Sequence, residues 1–413
     1  MTVSPPIRAA KTVAAKPVGQ SSIGPMADPR VEAERLATNA VDVLPEGALA
    51  EQLELGRPLR VKLGIDPTTP DIHLGHTVVL SKLREFQDAG HVVVLIIGDF
   101  TARVGDPSGR SAERPVLSDD EIAANAATYQ EQAFKVLDRD RTEVRFNSEW
   151  LEMGSGELLG LLSRATVARL LERDIFERRI EADEPISALE LIYPLLQGYD
   201  SVAINADVEL GGTDQKFNLL FGRDIQSAYG KAPQSIITMP LLVGTDGAQK
   251  MSKSLGNYVG VTDAPEELFG RLMSIPDDLM PDYFRLLLSA DVPDAEPNQA
   301  KRELGRRIVE RFHDPASAEA AEEHFDRLHV RHELPEEIEE ATVAANGPVH
   351  LPALLAELFG LSRSEARRLI EQGGVRIDDR VVDGGELDLP LDGLDGAVVQ
   401  VGKRRHKRLR IER

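Results

Sequence analysis

Two clusters of side chains in this 413-residue chain have the composition and spacing to handle phosphate. The first follows Gly64-Ile65-Asp66-Pro67-Thr68 and reads His73-Leu74-Gly75-His76. Two imidazoles three residues apart at a helix start, with glycine between them, make a compact donor site. A helix N-terminus offers free N–H groups and positive potential to an anion. The imidazoles can donate to phosphate oxygens as charge shifts during a reaction, and Gly75 lets a ligand lie against the backbone. The same spacing has plainer readings. A His pair can simply cap a helix, or ligate zinc, although the chain has no cysteine and no third ligand stands nearby in sequence. The second cluster, Lys250-Met251-Ser252-Lys253-Ser254, comes after Gly244-Thr-Asp-Gly247. Its two ammonium groups and two hydroxyls, on a glycine-flanked loop, can close over a triphosphate and stabilise charge on a departing group. A lone K-x-x-K in a loop is commonly no more than surface charge.

A third set lies between them. Tyr193, Gln197 and Asp200 are spaced by four and three, which puts them on one face of a helix. A phenol, an amide and an acid at the rim of a pocket can hold an amino acid at both ends. A half-exposed helix with a polar stripe is the alternative.

These residues need a scaffold, and the pattern predicts one. From about Arg60 to Asn257, apolar runs alternate with helix-period segments, which implies a parallel sheet with crossover helices. Arg60-Val-Lys-Leu-Gly-Ile65 is a first strand, ended by Asp66-Pro67. A helix follows from about His73, with Leu74, Val78, Leu83 and Phe86 on one side and Gly90 as its stop. His91 to Ile97 is a continuous apolar strand, as expected where both faces are covered. Ser118 and Glu121 form a capping box for a helix through Leu137. From Thr262 to Leu328 the pattern is helical and charged; from Arg331 to His350 it is acidic and reads as a linker. The last block holds a short basic helix from Ser362 to Gln372, stopped at Gly373-Gly374, and strands at Val375–Ile377 and Ala397–Val401.

Composition narrows the class. No apolar run approaches the roughly 18 residues that cross a membrane, and the absence of cysteine excludes disulfides and thiolate metal sites. A cytoplasmic enzyme with no membrane partner fits. Residues 1–30 read as a disordered tail, with Met26 a candidate start and an organellar transit peptide a minor alternative. The net charge of −21, from 48 Lys and Arg against 69 Asp and Glu, argues against nucleic-acid binding by the chain as a whole. Distribution matters more than the sum. The last eleven residues carry seven Lys or Arg and one acid, which is either a local polyanion contact or a solvated, frayed end.

His-x-Gly-His followed by Lys-Met-Ser-Lys-Ser is the paired signature of class I aminoacyl-tRNA synthetases. From Arg60 to about Tyr258 the chain resembles the bacterial tyrosyl-tRNA synthetases almost throughout. Tyr193-Pro-Leu-Leu-Gln197-Gly-Tyr-Asp200, Gly211-Gly212-Thr213-Asp214-Gln215 and Gly105-Asp106-Pro107-Ser108-Gly109 carry that resemblance furthest. The segment Leu361–Ile377 resembles an S4-type RNA-binding module. The fold implied is α/β: a Rossmann-like parallel-sheet catalytic domain over residues 31–260, an α-helical anticodon-binding domain over 261–330, the acidic linker 331–349, and a small α+β S4-like domain over 350–413.

The resemblance also implies roles. Tyr193, Gln197 and Asp106 would hold a substrate ammonium, Asp200 would accept from a tyrosine hydroxyl, Gln215 would line the same pocket, and Asp66 would lie at its edge. Gly212 and Asp214 would meet the adenosine ribose. Thr68, His73, Gly75, His76, Lys250, Ser252 and Lys253 would meet the ATP phosphates, with His73, His76, Lys250 and Lys253 catalytic. Arg363, Arg367, Arg368, Lys403, Arg404, Arg405, Lys407 and Arg408 would face tRNA. L-tyrosine, ATP with Mg2+ and tRNA(Tyr) are the implied substrates, with no tightly bound cofactor, no protein-held metal and a homodimer as the assembly. One departure stands out: many bacterial members have a substrate-binding tyrosine where this chain has Lys62. The hydroxyl would then rely on Asp200, on water or on a further side chain. A tryptophanyl-type synthetase and a non-catalytic RNA-binding relative are the alternatives.

Overall fold

The apolar runs Arg60–Ile65 and Val92–Ile97 are strands, and the helix-period segment between them is a crossover helix. The computed structural model describes residues 28–107, 117–331, 338–345, 347–378, 380–382, 385, 387–391, 393–402 and 405–412. The expected tail therefore falls outside the described residues up to residue 27, and Pro29 and Arg30 open a helix, Pro29–Ala37. By contact the chain divides into two compact units, Met1–Ala321 and Glu322–Arg413.

The first unit is built on six strands: β1 (Asp42–Leu44), β2 (Arg60–Ile65), β3 (Val92–Ile97), β4 (Thr142–Phe146), β5 (Val208–Gly212) and β6 (Ser235–Met239). Their order is β1-β6-β5-β2-β3-β4, parallel throughout except for β1 at the edge. β3 is buried along nearly its whole length, because helices cover both faces. The chain leaves β2 for β3 on one side and returns to β5 on the other. That reversal opens a crevice at the strands' carboxyl ends, where ligands bind in such folds.

Local chemistry sets the helix ends. The helix Leu74–Asp88 buries Leu74, Val78, Leu83 and Phe86, as the spacing predicts, and starts on His73. Ser118 and Glu121 cap the helix Asp119–Ala133 reciprocally. Ser187 and Glu190 do the same for Ala188–Ile204, which carries Tyr193, Gln197 and Asp200. The helical segment after residue 261 packs within the same unit rather than apart from it. Tyr283 donates to the Val243 carbonyl at 2.7 Å, and Arg311 donates to Ser81 Oγ at 2.8 Å.

The second unit is a five-stranded sheet, ordered β10-β9-β12-β13-β7, with a two-stranded ribbon of β8 and β11. These are β7 (Glu340–Ala344), β8 (Val349–His350), β9 (Val375–Ile377), β10 (Arg380–Val381), β11 (Asp388–Leu389), β12 (Val398–Val401) and β13 (Arg405–Glu412). Two helices, Leu351–Phe359 and Arg363–Glu371, share its core through Leu351, Leu355, Ala366, Ile370, Val399 and Leu409. One expectation needs correction here: the stretch read as linker contains β7, which pairs in parallel with β13 from Glu340 to Ala344. Of the two readings of the basic end, the frayed tail is excluded for Arg405–Glu412, a strand hydrogen-bonded on both edges. Alternation hid it, since Leu409 is buried while flanking cations stay at the surface.

Candidate active site

A cleft of about 330 Å³ opens at the carboxyl ends of β2, β3 and β5. Its two ends differ in charge. At one, the turn into the helix Leu74–Asp88 brings His73 and His76 together, ring centroids 3.8 Å apart. Both imidazoles cap that helix. The Gly75 N–H donates to His73 Nδ1 at 3.1 Å and the His73 N–H to His76 Nδ1 at 3.2 Å. The capping and phosphate-binding readings are thus compatible. With Nδ1 accepting, a neutral ring carries its proton on Nε2, which is left as a donor. Burial pushes both rings' pKa values down, His76 to about 4 and His73 to about 2, where its neighbour and the Lys253 and Lys250 charges add to the effect. Gly75 is needed for another reason than the sequence suggests: a Cβ there would stand 2.9 Å from the His73 ring.

The loop between β2 and His73 is braced from the helix Asp119–Ala133. Asn125 donates to the Pro67 carbonyl at 3.0 Å, and Gln132 both accepts from Ile72 N–H at 2.6 Å and donates to the Pro70 carbonyl at 3.0 Å. Thr68, Gly212, Asp214, Lys250 and Ser252 line the same end of the cleft as the imidazoles and Gly75. Lys250 pairs with Asp214 at 2.6 Å. Lys253 departs from expectation: it is not on the cleft wall, because Asp71 holds its ammonium, which lies 5.6 Å from the Tyr258 ring centroid. The two signatures are joined by backbone, Leu74 N–H to the Val259 carbonyl at 2.9 Å and Val261 N–H to the Ile72 carbonyl at 3.0 Å. Asn257, buried, shapes the second loop by accepting from Ser252 N–H at 2.8 Å and donating to Asp246 at 2.9 Å.

Carboxylates collect at the other end. Asp66, Asp106, Tyr193, Gln197, Asp200 and Gln215 all line the cleft. Tyr193 donates its hydroxyl to Asp66 Oδ2 at 2.8 Å and Thr101 donates to Oδ1 at 2.7 Å. A Cβ at Gly98 would stand 2.0 Å from Asp66 Oδ1, so only glycine leaves room for that carboxyl. Asp106 accepts from Gln215 at 2.7 Å and pairs with buried Arg173 at 3.3 Å. Asp200 accepts from Trp150 Nε1 at 2.8 Å. Burial raises the Asp66 pKa to about 7, with the Asp106 and Asp200 charges adding to it against the hydrogen bonds from Thr101 and Tyr193. Burial raises Asp200 to about 6, opposed by the Lys62 charge and by donation from Trp150 and Asn147.

Sequence reasoning missed Thr101, Asn147, Trp150 and Arg173. The only tryptophan in the chain was a signal of a kind, but nothing in the spacing of these residues ties them to Asp106 or Asp200. Lys62, the departure from the family pattern, does not line the cleft and pairs, fully buried, with Glu209. In the second unit, Arg363, Arg367 and Arg368 stand exposed on one helix. Arg405 is exposed, Lys407 pairs with Glu339 at 2.9 Å and Arg408 donates to the Gly396 carbonyl at 3.1 Å. Lys403 and Arg404 lie outside the described residues.

Known proteins resemble this chain in sequence and in fold. The sequence profile of tRNA synthetases class I (W and Y) matches residues 54–330, and that of the S4 domain matches residues 351–386. A tyrosine–tRNA ligase of Moorella thermoacetica is 50% identical over 393 residues, covering 91% of this chain and 94% of that protein. One from Geobacter sulfurreducens is 50% identical over 390 residues, covering 90% and 96%. The crystal structure of a tyrosyl-tRNA synthetase from Archaeoglobus fulgidus, complexed with L-tyrosine, superposes with a TM-score of 0.59 at 23% identity, over 71% of this chain and 99% of that one. That last likeness bears on the fold alone.

Proposed function

The chain belongs to the class I tRNA synthetases (W and Y), and on that premise we propose how it works as a tyrosine–tRNA ligase. It activates L-tyrosine with ATP to tyrosyl-adenylate and pyrophosphate, then transfers the tyrosine to the 3′-terminal ribose of tRNA(Tyr). The observation that carries this reading is identity at half of all positions, over nine-tenths of the chain, with tyrosine–tRNA ligases. The bipolar cleft supports it. A polyanion suits the end with His73, His76, Lys250 and a helix N-terminus; an amino acid with a distal hydroxyl suits the end with Asp66, Asp106, Tyr193, Gln197 and Asp200.

The tyrosine carboxylate is already ionised, so attack on the α-phosphorus needs no general base. Positioning and charge stabilisation carry the step. Neutral His73 and His76 donate through Nε2 to phosphate oxygens. Lys250 and Lys253 exchange their carboxylate partners, Asp214 and Asp71, for the charge that develops on pyrophosphate. Magnesium arrives on the ATP phosphates. Gly212 and Asp214 hold the ribose and Thr68, Gly75 and Ser252 complete the nucleotide end. Tyr193, Gln197 and Asp106 take the substrate ammonium, Gln215 lines the pocket beside them, and Asp200, held by Trp150, accepts from the phenol.

The exposed Arg363, Arg367, Arg368 and Arg405, with Lys407 and Arg408, contact tRNA. The enzyme works in the cytoplasm as a homodimer. Leu159, Val167, Ile180 and Leu189, all exposed on four consecutive helices, offer apolar surface for such an assembly. Amino-acid-dependent ATP–pyrophosphate exchange over the standard amino acids tests the assignment. Exchange with tyrosine alone is expected; exchange with tryptophan would move it to the sister enzyme, and none at all would mean a binding protein.

A further inference from the structure

Beneath the amino-acid end of the cleft lies a buried polar cluster that none of these roles uses. Lys62 and Glu209 are direct cross-strand partners on β2 and β5, their side chains 0% and 1% exposed, with Nζ and Oε1 2.8 Å apart. Neither lines the cleft. Removing two charges from water is costly, and a well-packed apolar pair commonly does as well. Stability therefore gives no reason for this pair. Its contacts do.

Lys62 Nζ donates to the main-chain carbonyl of Gln197 at 2.9 Å and to Ser201 Oγ at 2.8 Å. Glu209 Oε1 accepts from Gln197 Nε2 at 3.2 Å, while its Oε2 accepts from Ser201 at 3.3 Å and from the Gln234 amide. Asn218 Nδ2 donates to Gln197 Oε1 at 2.9 Å. A Cβ at Gly222 would stand 3.3 Å from Glu209 Oε2, so the helix above leaves room for the cluster.

A primary amide has a donor end and an acceptor end of nearly the same shape, so its partners choose its orientation. An ionised carboxylate can only accept. Glu209 therefore turns Gln197 Nε2 inward and leaves Oε1, the acceptor, for Asn218 and for the cleft that Gln197 lines. Lys62 supplies the countercharge that keeps Glu209 an acceptor and clamps the backbone of the same glutamine. We propose that Lys62 and Glu209 are a positioning pair for amino-acid recognition, presenting the Gln197 carbonyl oxygen to the α-ammonium of the bound tyrosine. The proposal rests on the assignment of Gln197 to that ammonium.

Two variants of the full chain test this: Glu209→Gln, and the double variant Lys62→Met/Glu209→Met, which leaves no charge orphaned. Each is assayed for tyrosine-dependent ATP–pyrophosphate exchange and for binding of L-tyrosine and its des-amino analogue, 3-(4-hydroxyphenyl)propionate. In both, the KM for tyrosine rises roughly 10- to 100-fold, the range for losing a hydrogen bond to a charged group. The KM for ATP and the affinity for the des-amino analogue stay at the wild-type values. An unchanged KM for tyrosine, or an equal loss for ligands with and without the ammonium, overturns the proposal. Exchange by the wild type is read separately: its absence sinks the tyrosine assignment, whereas wild-type exchange with unaltered variants sinks only the positioning pair.

Discussion

Single groups in the cleft carry separable tasks. Removing one preorganised donor to a developing oxyanion costs roughly 100- to 1,000-fold in comparable sites. Losses of that order are expected in adenylate formation for His76→Ala and for Lys253→Ala, measured by single-turnover kinetics; full rates in both would remove them from the mechanism. A buried acceptor left unpaired makes a site reject a substrate that lacks the hydroxyl. Tyrosyl-tRNA synthetases discriminate against phenylalanine by about 10⁵ on this principle. Asp200→Ala should erode that preference, and a variant that still excludes phenylalanine would shift the role to another group. pH acts on the same carboxyls. In its proposed role Asp200 accepts from the phenol as the carboxylate, and burial raises its pKa to about 6. kcat/KM for tyrosine should therefore fall roughly tenfold per unit once the pH drops below about 6. Stability runs the opposite way. Asp66 binds its proton more tightly folded, with a pKa near 7, than unfolded, near 4. Its contribution is most favourable at low pH and is lost as pH rises through about 4 to 7. Between pH 5 and 8, Asp66→Asn should gain roughly 1–2 kcal/mol on the wild type in urea unfolding, after solvent screening; a constant difference would contradict the shift.

At the scale of elements, the second signature is a loop held by ion pairs that the nucleotide displaces in the proposed mechanism. Lys253 is on Asp71 and Lys250 on Asp214, all four side chains partly exposed. Such pairs contribute about 0–1 kcal/mol, so they can yield to a triphosphate. Asp71→Asn should free Lys253 and lower the KM for ATP by at most about fivefold. A large rise would mean that Asp71 holds the nucleotide end together. The helix Leu74–Asp88 does two things at once: its start presents the imidazoles, while Phe86, fully buried, anchors it to the sheet. The element's amphipathic period was legible because burial on one side demands it. Asn257 and Asn125, which hold the loops around it, were not. A polar side chain bonded to a distant backbone group leaves no period in the sequence.

Over the whole molecule, the boundary between the two units changes how the RNA-binding part should be removed. A cut after Pro348 would leave β7 behind without β13, its parallel partner, and expose an unpaired strand edge. A cut after Arg331 removes the entire second sheet. That truncation should retain ATP–pyrophosphate exchange and lose most tRNA charging; equal charging by the shortened chain would show that the S4-like unit does not contact the tRNA.

Strand–helix alternation was enough to assign the parallel sheet, and capping and residue type picked out the clusters proposed for phosphate, because those follow from local rules; the family came from the resemblance of the paired signatures. The spacing of Tyr193, Gln197 and Asp200 likewise placed them on one helix face before any coordinates. What supports those three was decided by pairing between distant segments. Trp150 reaches Asp200 from the short helix after the edge strand β4, Arg173 reaches Asp106, and Lys62 meets Glu209 only because β5 returns beside β2. A buried charge is tolerated only where its partner has been folded against it, and that partner's position is a property of the tertiary structure, not of any neighbourhood in the chain.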